Sequence, residues 1–219
     1  MRNRDYKEFA KNEIYHIYNR GVGKMNIFLD NKDHQMFLSR LEENLFPERI
    51  DKSEFSWNEK RRKILPSNSF NLICYCLMPN HFHLLIQQKT DLSITKLISK
   101  LCTSYSIYFN KKYNRVGAVL QDQFKAVLIK SNEQLLWTSF YIHKNPIEAG
   151  LVSNVYDYKW NSYLEYVNSM IEPLCKKDIL LEQFKSKDSF VSYFQKSLVS
   201  KDTDYKLVGF QDLLIDNLD

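Results

Sequence analysis

The stretch that decides the fold is residues 70–88, FNLICYCLMPNHFHLLIQQ. It holds two apolar runs rich in residues typical of strands, FNLICYCLM and HFHLLIQQ, with Pro79 and Asn80 between them. Strand-forming runs on either side of a Pro-Asn pair are typical of two strands joined by a turn. The sequence therefore predicts two neighbouring strands of one sheet.

The segments on either side of this pair alternate between strand and helix patterns. Residues 13–21 (EIYHIYNRG) predict a strand, and residues 118–129 (AVLQDQFKAVLI) return to strand character. Apolar residues at helical spacing predict helices over 31–46 and 93–112. The order of these elements is typical of an α+β fold, in which helices pack on a central antiparallel sheet.

A further helix is predicted after residue 130. Ser131, with Gln134 three residues later, has the spacing of a capping box that opens a helix. Pro146 is expected to limit how far this helix runs, because the residue before a proline avoids the α region.

Two segments fall outside this alternation of strands and helices. Residues 47–69 are polar and charged, and they are longer than most connections in a compact domain, which predicts an insertion. The tail from residue 168 to 219 is predicted to form short helices that pack on the domain. The sequence thus predicts one domain over residues 1–167 and a C-terminal helical extension over 168–219.

The composition is that of an ordered globular protein. Of 219 residues, 44% are hydrophobic and 14% aromatic, with only 5 Gly and 5 Pro. No apolar run reaches the roughly 18 residues that a membrane span needs, and the first residues lack the apolar core of a signal peptide. We therefore expect a cytoplasmic protein that does not bind membranes. Four cysteines are too sparse for a disulfide framework and predict reduced thiols.

Positive charge is concentrated in one part of the chain. The formal net charge is +5, and an excess of the same size lies between residues 91 and 130, interleaved with aromatic residues. Such a segment suits a surface that follows a phosphate backbone and stacks on bases, although a solvated helix face would have the same composition. The candidate DNA-binding residues are Lys96, Lys100, Lys111, Lys112, Arg115 and Lys125.

His81 and His83 are the candidate metal ligands. Successive side chains of a strand point to opposite faces, so these two imidazoles share one face and can converge on a cation. Two alternatives are open: ordinary core histidines, or a zinc site that also uses Cys74 and Cys76, whose spacing is shorter than that of most structural zinc pairs.

Tyr141 and Asn145 are four residues apart, so both lie on one face if the helix continues to Asn145. Tyr141 could serve as a nucleophile in that position. From the residues alone, a buried core aromatic is the simpler interpretation of Tyr141.

Five motifs in order resemble the single-tyrosine HUH transposases, particularly the REP-associated tyrosine transposases and their insertion-sequence relatives. They are YHIYNRG, LMPNHFHLLI, LQDQFKAVLI, YIHKNPIEAGLV and YKWNSY, and together they run from about Tyr15 to Tyr166. The resemblance implies an HUH endonuclease fold, which is ferredoxin-like or RRM-like.

The resemblance also implies roles for single residues. His81 and His83 match the histidine pair that holds Mg²⁺ or Mn²⁺, and Asn145 matches a polar third ligand. Tyr141 matches the nucleophile that forms a covalent 5′-phosphotyrosine. Gln123 stands where relatives often carry arginine, which puts a phosphate or base contact there in question. No general base is assigned, because His143 is two residues from Tyr141 and turns away from it on a helix.

The implied function is a metal-dependent endonuclease and strand transferase. It would cleave single-stranded DNA near a hairpin, and it would work as a homodimer. Two alternatives from other classes are a domesticated nucleic-acid-binding protein that has lost catalysis and a zinc-dependent hydrolase that uses Cys74 and Cys76.

Overall fold

The computed structural model describes residues 8–49, 64–168 and 172–199. These residues form a four-stranded antiparallel sheet with strand order β2-β3-β1-β4. The strands are β1 (Ile14–Arg20), β2 (Phe70–Met78), β3 (His81–Gln88) and β4 (Lys125–Ile129). The predicted α+β architecture is therefore confirmed, and the two runs of residues 70–88 pair with each other as expected.

Six α-helices accompany the sheet in the described part of the chain. They are α1 (Asn31–Leu45), α2 (Ile94–Lys112), α3 (Asn132–Glu148), α4 (Tyr163–Val167), α5 (Asp178–Leu181) and α6 (Lys187–Val199). The N-cap predicted for α3 is present, because Ser131 Oγ accepts from the Gln134 N–H at 3.2 Å. The reciprocal bond of the predicted capping box is shifted by one residue, since Gln134 Oε1 accepts from the Lys130 N–H, at 2.7 Å, and not from that of Ser131. No described helix is both long enough and apolar enough to cross a lipid bilayer.

The two faces of the sheet pack against different helices. Phe82 and Leu84 of β3 lie on the face covered by α1 and α2, where the ring centroids of Phe37 and Phe82 are 5.0 Å apart. His81 and His83 alternate with them and lie on the other face, which we call the histidine face. Helix α3 packs on the histidine face against β2 and β3.

Two boundaries differ from the sequence prediction. Strand character was predicted from residue 118, but β4 begins at Lys125, because Asp122 has a positive φ of 23° that breaks an extended chain. Helix α3 also continues past Pro146 to Glu148. Proline there removes a single N–H donor close to the end of the helix, and Gly150 with a φ of 67° follows the last turn.

Part of the predicted C-terminal extension packs on the domain. The ring of Phe194 on α6 lies 4.3 Å from that of Tyr163 and 5.7 Å from that of Phe140 on α3. Phe190 and Phe194 are both fully buried. Residues 169–171 and 200–219 of the extension and residues 50–63 of the predicted insertion lie outside the described residues.

Candidate metal and nucleophile site

His81 and His83 open strand β3 and present their side chains side by side on the histidine face. Their ring centroids are 4.9 Å apart, and their side chains are 7% and 0% exposed. Across the strand pair, Arg20 of β1 lies opposite His81, and Tyr18 lies opposite His83. The period of two in β1 therefore adds an arginine and an aromatic ring to the same face.

Both imidazoles are neutral at physiological pH. Burial, followed by the Arg20 guanidinium, lowers the pKa of His81 to about 3, and the neighbouring Asn145 side chain offsets this only in part. Burial and then the adjacent imidazoles hold the pKa of His83 well below its usual value. A neutral imidazole keeps a lone pair on one ring nitrogen, which is the form that binds metals.

Helix α3 brings Tyr141 and Asn145 of the same chain onto this face. The ring of Tyr141 lies edge-on to that of His83, with centroids 5.5 Å apart, and the Asn145 side chain lies beside His81. Trp137, one turn before Tyr141, stacks on its ring at 5.5 Å with an interplanar angle of 4°. All four predicted site residues therefore converge within one chain.

The residues present fit a divalent cation. Nε2 of His81 and Nε2 of His83 are buried without a hydrogen-bond partner, which is costly for a polar atom. Within the described residues, no three His, Cys, Asp or Glu side chains are placed to share a metal ion. A third protein ligand would therefore come from another residue type, and the amide of Asn145 is the polar group at hand.

The cysteines predicted for the zinc alternative do not complete a site. Cys76 lies opposite His83 in the strand register, but its thiol contacts Met78 Sδ at 3.6 Å. Burial raises the pKa of Cys74 and of Cys76 well above the usual thiol value, and within the described residues neither thiol belongs to a group of three His, Cys, Asp or Glu side chains that could hold a metal ion. All four cysteines of the chain are free thiols.

His16 was missed as a site residue in the sequence. Its Nε2 lies 2.9 Å from Nδ1 of His83, its side chain is fully buried, and burial lowers its pKa to about 3. Its ring is also 6.2 Å from that of Tyr141. The motif YHIYNRG could have indicated it, because His16, Tyr18 and Arg20 occupy alternate positions of one strand and therefore share a face.

His143 lies away from Tyr141, as its position two residues further along the helix predicted. Its Nε2 is 3.0 Å from Ser162 Oγ, and the rings of Tyr163 and Tyr166 surround it. Burial lowers its pKa to about 3. His143 therefore anchors α3 to the segment around α4 and does not act as a base on Tyr141.

The candidate DNA-binding residues do not form one surface. Lys125 lies opposite Tyr18 and so belongs to the histidine face. Lys96, Lys100 and Lys111 are on α2, in the layer that covers the other face, and Arg115 follows α2 with its guanidinium over the Phe109 ring. Gln123 lines a groove of about 580 Å³ between α2 and the segment before β4.

Lys112, the sixth candidate, is engaged within the protein. Its ammonium group bonds to Asp30 and to Asp33, each at 2.7 Å, and so ties the end of α2 to the start of α1. We therefore remove Lys112 from the set of phosphate contacts, because its charge is already neutralised by two carboxylates.

This chain is similar to known proteins of one family. The model of the family described as IS200-like transposases matches residues 30–145, just over half of the chain. A relative from Haemophilus influenzae, assigned to the REP-associated tyrosine transposases, is 26% identical over 116 aligned positions, which cover 48% of this chain and 65% of the relative. The chain thus matches less than two thirds of that relative's length.

One solved structure has a similar fold. It is a REP-associated tyrosine transposase bound to a REP hairpin, with a TM-score of 0.55 and 15% sequence identity, and the match covers 78% of this chain and 88% of the other. At this identity the likeness concerns the fold, which it assigns to that of the tyrosine transposases.

Proposed function

Because the chain belongs to the family of IS200-like transposases, we propose that it cleaves and rejoins single-stranded DNA near a hairpin, through a covalent bond between DNA and Tyr141. The observation that carries this proposal is the position of Tyr141 and Asn145. Helix α3 holds both on the face that presents His81 and His83, and the Tyr141 ring lies 5.5 Å from that of His83.

The proposed reaction is a transesterification. The phenolic oxygen of Tyr141 attacks the scissile phosphorus, an O–P bond forms, and the bond from phosphorus to the 3′ oxygen breaks. The phenol loses its proton, and the leaving strand ends in a 3′-hydroxyl. The product is a 5′-phosphotyrosine, whose ester bond a 3′-hydroxyl of another strand can attack to rejoin DNA without ATP.

The surroundings of Tyr141 suit this role. Its side chain is only 2% exposed and is held by stacking on Trp137, so the ring keeps one orientation towards the histidines. Burial also limits the access of water, which would otherwise hydrolyse the covalent intermediate. Arg20 places a positive charge beside His81, where a phosphate would lie.

His81, His83 and Asn145 would hold the cation, which we propose to be Mg²⁺ or Mn²⁺. A divalent cation at this position neutralises charge on the phosphate oxygens and orients the phosphate for in-line displacement. The protein's own part is to present two neutral imidazoles and one amide from rigid elements, a strand and a helix.

Hairpin DNA is the proposed partner. The solved structure of similar fold is itself bound to a hairpin. Lys125 on the histidine face would contact phosphates next to the scissile bond, and Lys96, Lys100, Lys111 and Arg115 would contact more distant ones. The four site residues come from one chain, so we propose that a homodimer serves to bring two DNA ends together and not to complete the site.

The test is a covalent adduct. Protein and Mn²⁺ are incubated with end-labelled single-stranded DNA that carries a hairpin from the flanks of the gene, and the products are separated under denaturing conditions. We expect a labelled protein–DNA species with the wild type, none with Tyr141→Phe, and none after chelation of the metal. Tyr156→Phe is the matched control, because that tyrosine is 42% exposed and lies outside the site.

Two outcomes would contradict the proposal. An adduct that persists in Tyr141→Phe would show that another residue is the nucleophile. A wild type that binds the hairpin tightly in Mn²⁺ but forms no adduct would instead support a nucleic-acid-binding protein without catalysis.

A further inference from the structure

Each of the two site histidines presents one ring nitrogen to the protein and the other to the site. Nδ1 of His81 lies 2.6 Å from Oδ1 of Asn80, and Nδ1 of His83 lies 2.9 Å from Nε2 of His16. The Nε2 atoms of both rings are buried and have no hydrogen-bond partner. The same division of the two nitrogens occurs on both histidines, although their partners come from different parts of the chain.

The side chain of Asn80 determines where the proton of His81 lies. Its Nδ2 donates to the backbone oxygen of Lys24 at 3.3 Å, which directs Oδ1 towards the His81 ring. An amide oxygen can only accept, so Nδ1 of His81 must carry the proton. The lone pair of His81 is then on Nε2, the atom that faces the site.

The chain around Lys24 is built to reach Asn80. Gly21 ends the extended segment, and a Cβ added there would clash with the backbone oxygen of Met25. After Gly21 the chain folds back on itself and runs to the β2–β3 turn. There the Ile27 N–H donates to the Pro79 oxygen at 2.8 Å. The partner of Asn80 is therefore held by backbone and does not depend on a mobile side chain.

His16 can supply the equivalent acceptor for His83. It is fully buried on the neighbouring strand, and its ring lies nearly parallel to that of His83, with an interplanar angle of 19°. A neutral imidazole has one donor and one acceptor nitrogen. When Nε2 of His16 accepts, the proton of His83 is on Nδ1 and its Nε2 lone pair faces the site.

We propose that His16 and Asn80 are positioning residues, which fix the tautomer and ring orientation of His83 and His81 so that both Nε2 atoms are available to a divalent cation. This inference rests on the metal site of the proposed function. Outer-shell hydrogen bonds to the second nitrogen of a ligating histidine commonly orient the ring and increase its basicity. Neither residue touches the cation or the DNA in this assignment.

The first test measures Mn²⁺ affinity without DNA, by the electron paramagnetic resonance signal of free Mn²⁺. The matched pair is His16→Leu and His16→Gln, since glutamine can place an acceptor oxygen near the position of Nε2 and leucine only fills space. We expect His16→Leu to weaken Mn²⁺ binding by about 10–100-fold. His16→Gln should retain most of the wild-type affinity.

A second pair tests Asn80, which lies in a partly exposed turn and outside the buried core. Asn80→Asp keeps the acceptor oxygen, whereas Asn80→Leu removes it. We expect the leucine variant to lose Mn²⁺ affinity and the aspartate variant to bind at least as tightly as the wild type. This pair tests whether Asn80 positions the His81 ring, and it does so even if His16→Leu does not fold.

A spectroscopic measurement reports the hydrogen bond itself. In Mg²⁺-loaded, ¹⁵N-labelled wild type, we expect a proton on Nδ1 of His83 and a scalar coupling across the hydrogen bond to Nε2 of His16. A proton on Nε2 of His83 in the loaded protein would overturn the inference.

The outcomes separate this inference from the proposed function. Equal Mn²⁺ affinities of the wild type and both leucine variants would overturn the positioning roles while leaving the metal site in place. A wild type that binds no Mn²⁺ would overturn the metal site and, with it, the positioning roles.

Discussion

At the scale of single residues, the site depends on which atom each side chain presents. His81 and His83 are almost fully buried, yet each keeps a ring nitrogen without a protein partner. His16, His34 and His143 also keep one such nitrogen, so the feature that favours ligands is the convergence of the two rings with Tyr141 and Asn145 on one face. The Asn145 amide lies beside His81, and in the proposed site it would add an oxygen ligand to the two ring nitrogens.

Substitutions of Asn145 should change Mn²⁺ affinity in opposite directions. Asn145→Asp replaces a neutral amide with a carboxylate beside two neutral imidazoles, and carboxylates are preferred ligands of Mg²⁺ and Mn²⁺. We expect tighter Mn²⁺ binding for the aspartate variant, and binding weaker by about tenfold or more for Asn145→Leu. Titration of free Mn²⁺ measures both. If the leucine variant bound as tightly as the wild type, Asn145 would not be a ligand.

The sequence predicted some of these residues and not others, for a physical reason. His81 and His83 share a face by the alternation of one strand, and Tyr141 and Asn145 share a face by the turn of one helix, so local periodicity is sufficient. His16 lies 67 residues before its partner His83. Their contact depends on the strand order β2-β3-β1-β4, which no local pattern contains.

At the scale of elements, two adjacent lysines at the end of helix α2 look equivalent in sequence but have different surroundings in the structure. Lys111 is exposed, whereas the ammonium group of Lys112 bonds to Asp30 and Asp33. Burial alone would raise the pKa of the Asp33 carboxyl, but hydrogen bonds from Lys112, the Leu29 N–H and Tyr113 hold it below its usual value. Lys112 therefore joins α1 to α2.

Removing the Lys112 ammonium group should destabilise the fold. Lys112→Met leaves the buried Asp33 carboxylate without its cationic partner, at a cost of about 1.5–3 kcal/mol in the free energy of unfolding. Urea denaturation measures this loss. Lys111→Met is the matched control, and its stability should equal that of the wild type. Equal stabilities of the two variants would show that the contacts of Lys112 contribute nothing.

In DNA binding, substitution of Lys111 should have an effect and substitution of Lys112 should have none. Lys111→Ala removes one proposed phosphate contact, so the log-log dependence of the binding constant on salt should flatten by about 0.7 for single-stranded DNA. Lys112→Met should leave that slope unchanged, once binding is compared under conditions where both variants are folded. A slope that is insensitive to Lys111 would place this lysine outside the DNA interface.

Element boundaries were predicted less well than the elements themselves. The strand pattern of residues 118–129 continues through Leu120, which does pair with Gly21 in an isolated bridge. The backbone then turns at Asp122, and regular pairing resumes only at Lys125. Helix α3 continues beyond Pro146 because the packing of this helix against β2 and β3 outweighs the loss of one backbone hydrogen bond near the helix end.

At the scale of the whole molecule, the described part of the C-terminal extension packs against α3, the helix that carries Tyr141. Phe194 of α6 is fully buried and packs against Phe140 and His143 of α3. The helix that carries Tyr141 thus contacts both the sheet and the extension. The extension therefore contributes to the position of the helix that carries Tyr141 as well as to the core.

Truncation of Phe194 should show that this packing belongs to the core of the domain. We expect Phe194→Ala to lower the free energy of unfolding by about 3–5 kcal/mol in a single cooperative urea transition. Tyr193→Ala, at a side chain that is 51% exposed, should cost less. Two separate transitions, or equal losses for the two variants, would instead indicate an extension that folds independently of the transposase domain.

The central claim is that Tyr141 becomes covalently linked to DNA at a site that this one chain completes. The most direct measurement is mass spectrometry of the peptide that carries the nucleotide, after the protein–DNA adduct formed in Mn²⁺ is digested with protease and nuclease. The account predicts a nucleotide on Tyr141, attached through its 5′ phosphate. A nucleotide on any other residue, or an attachment through a 3′ phosphate, would contradict it.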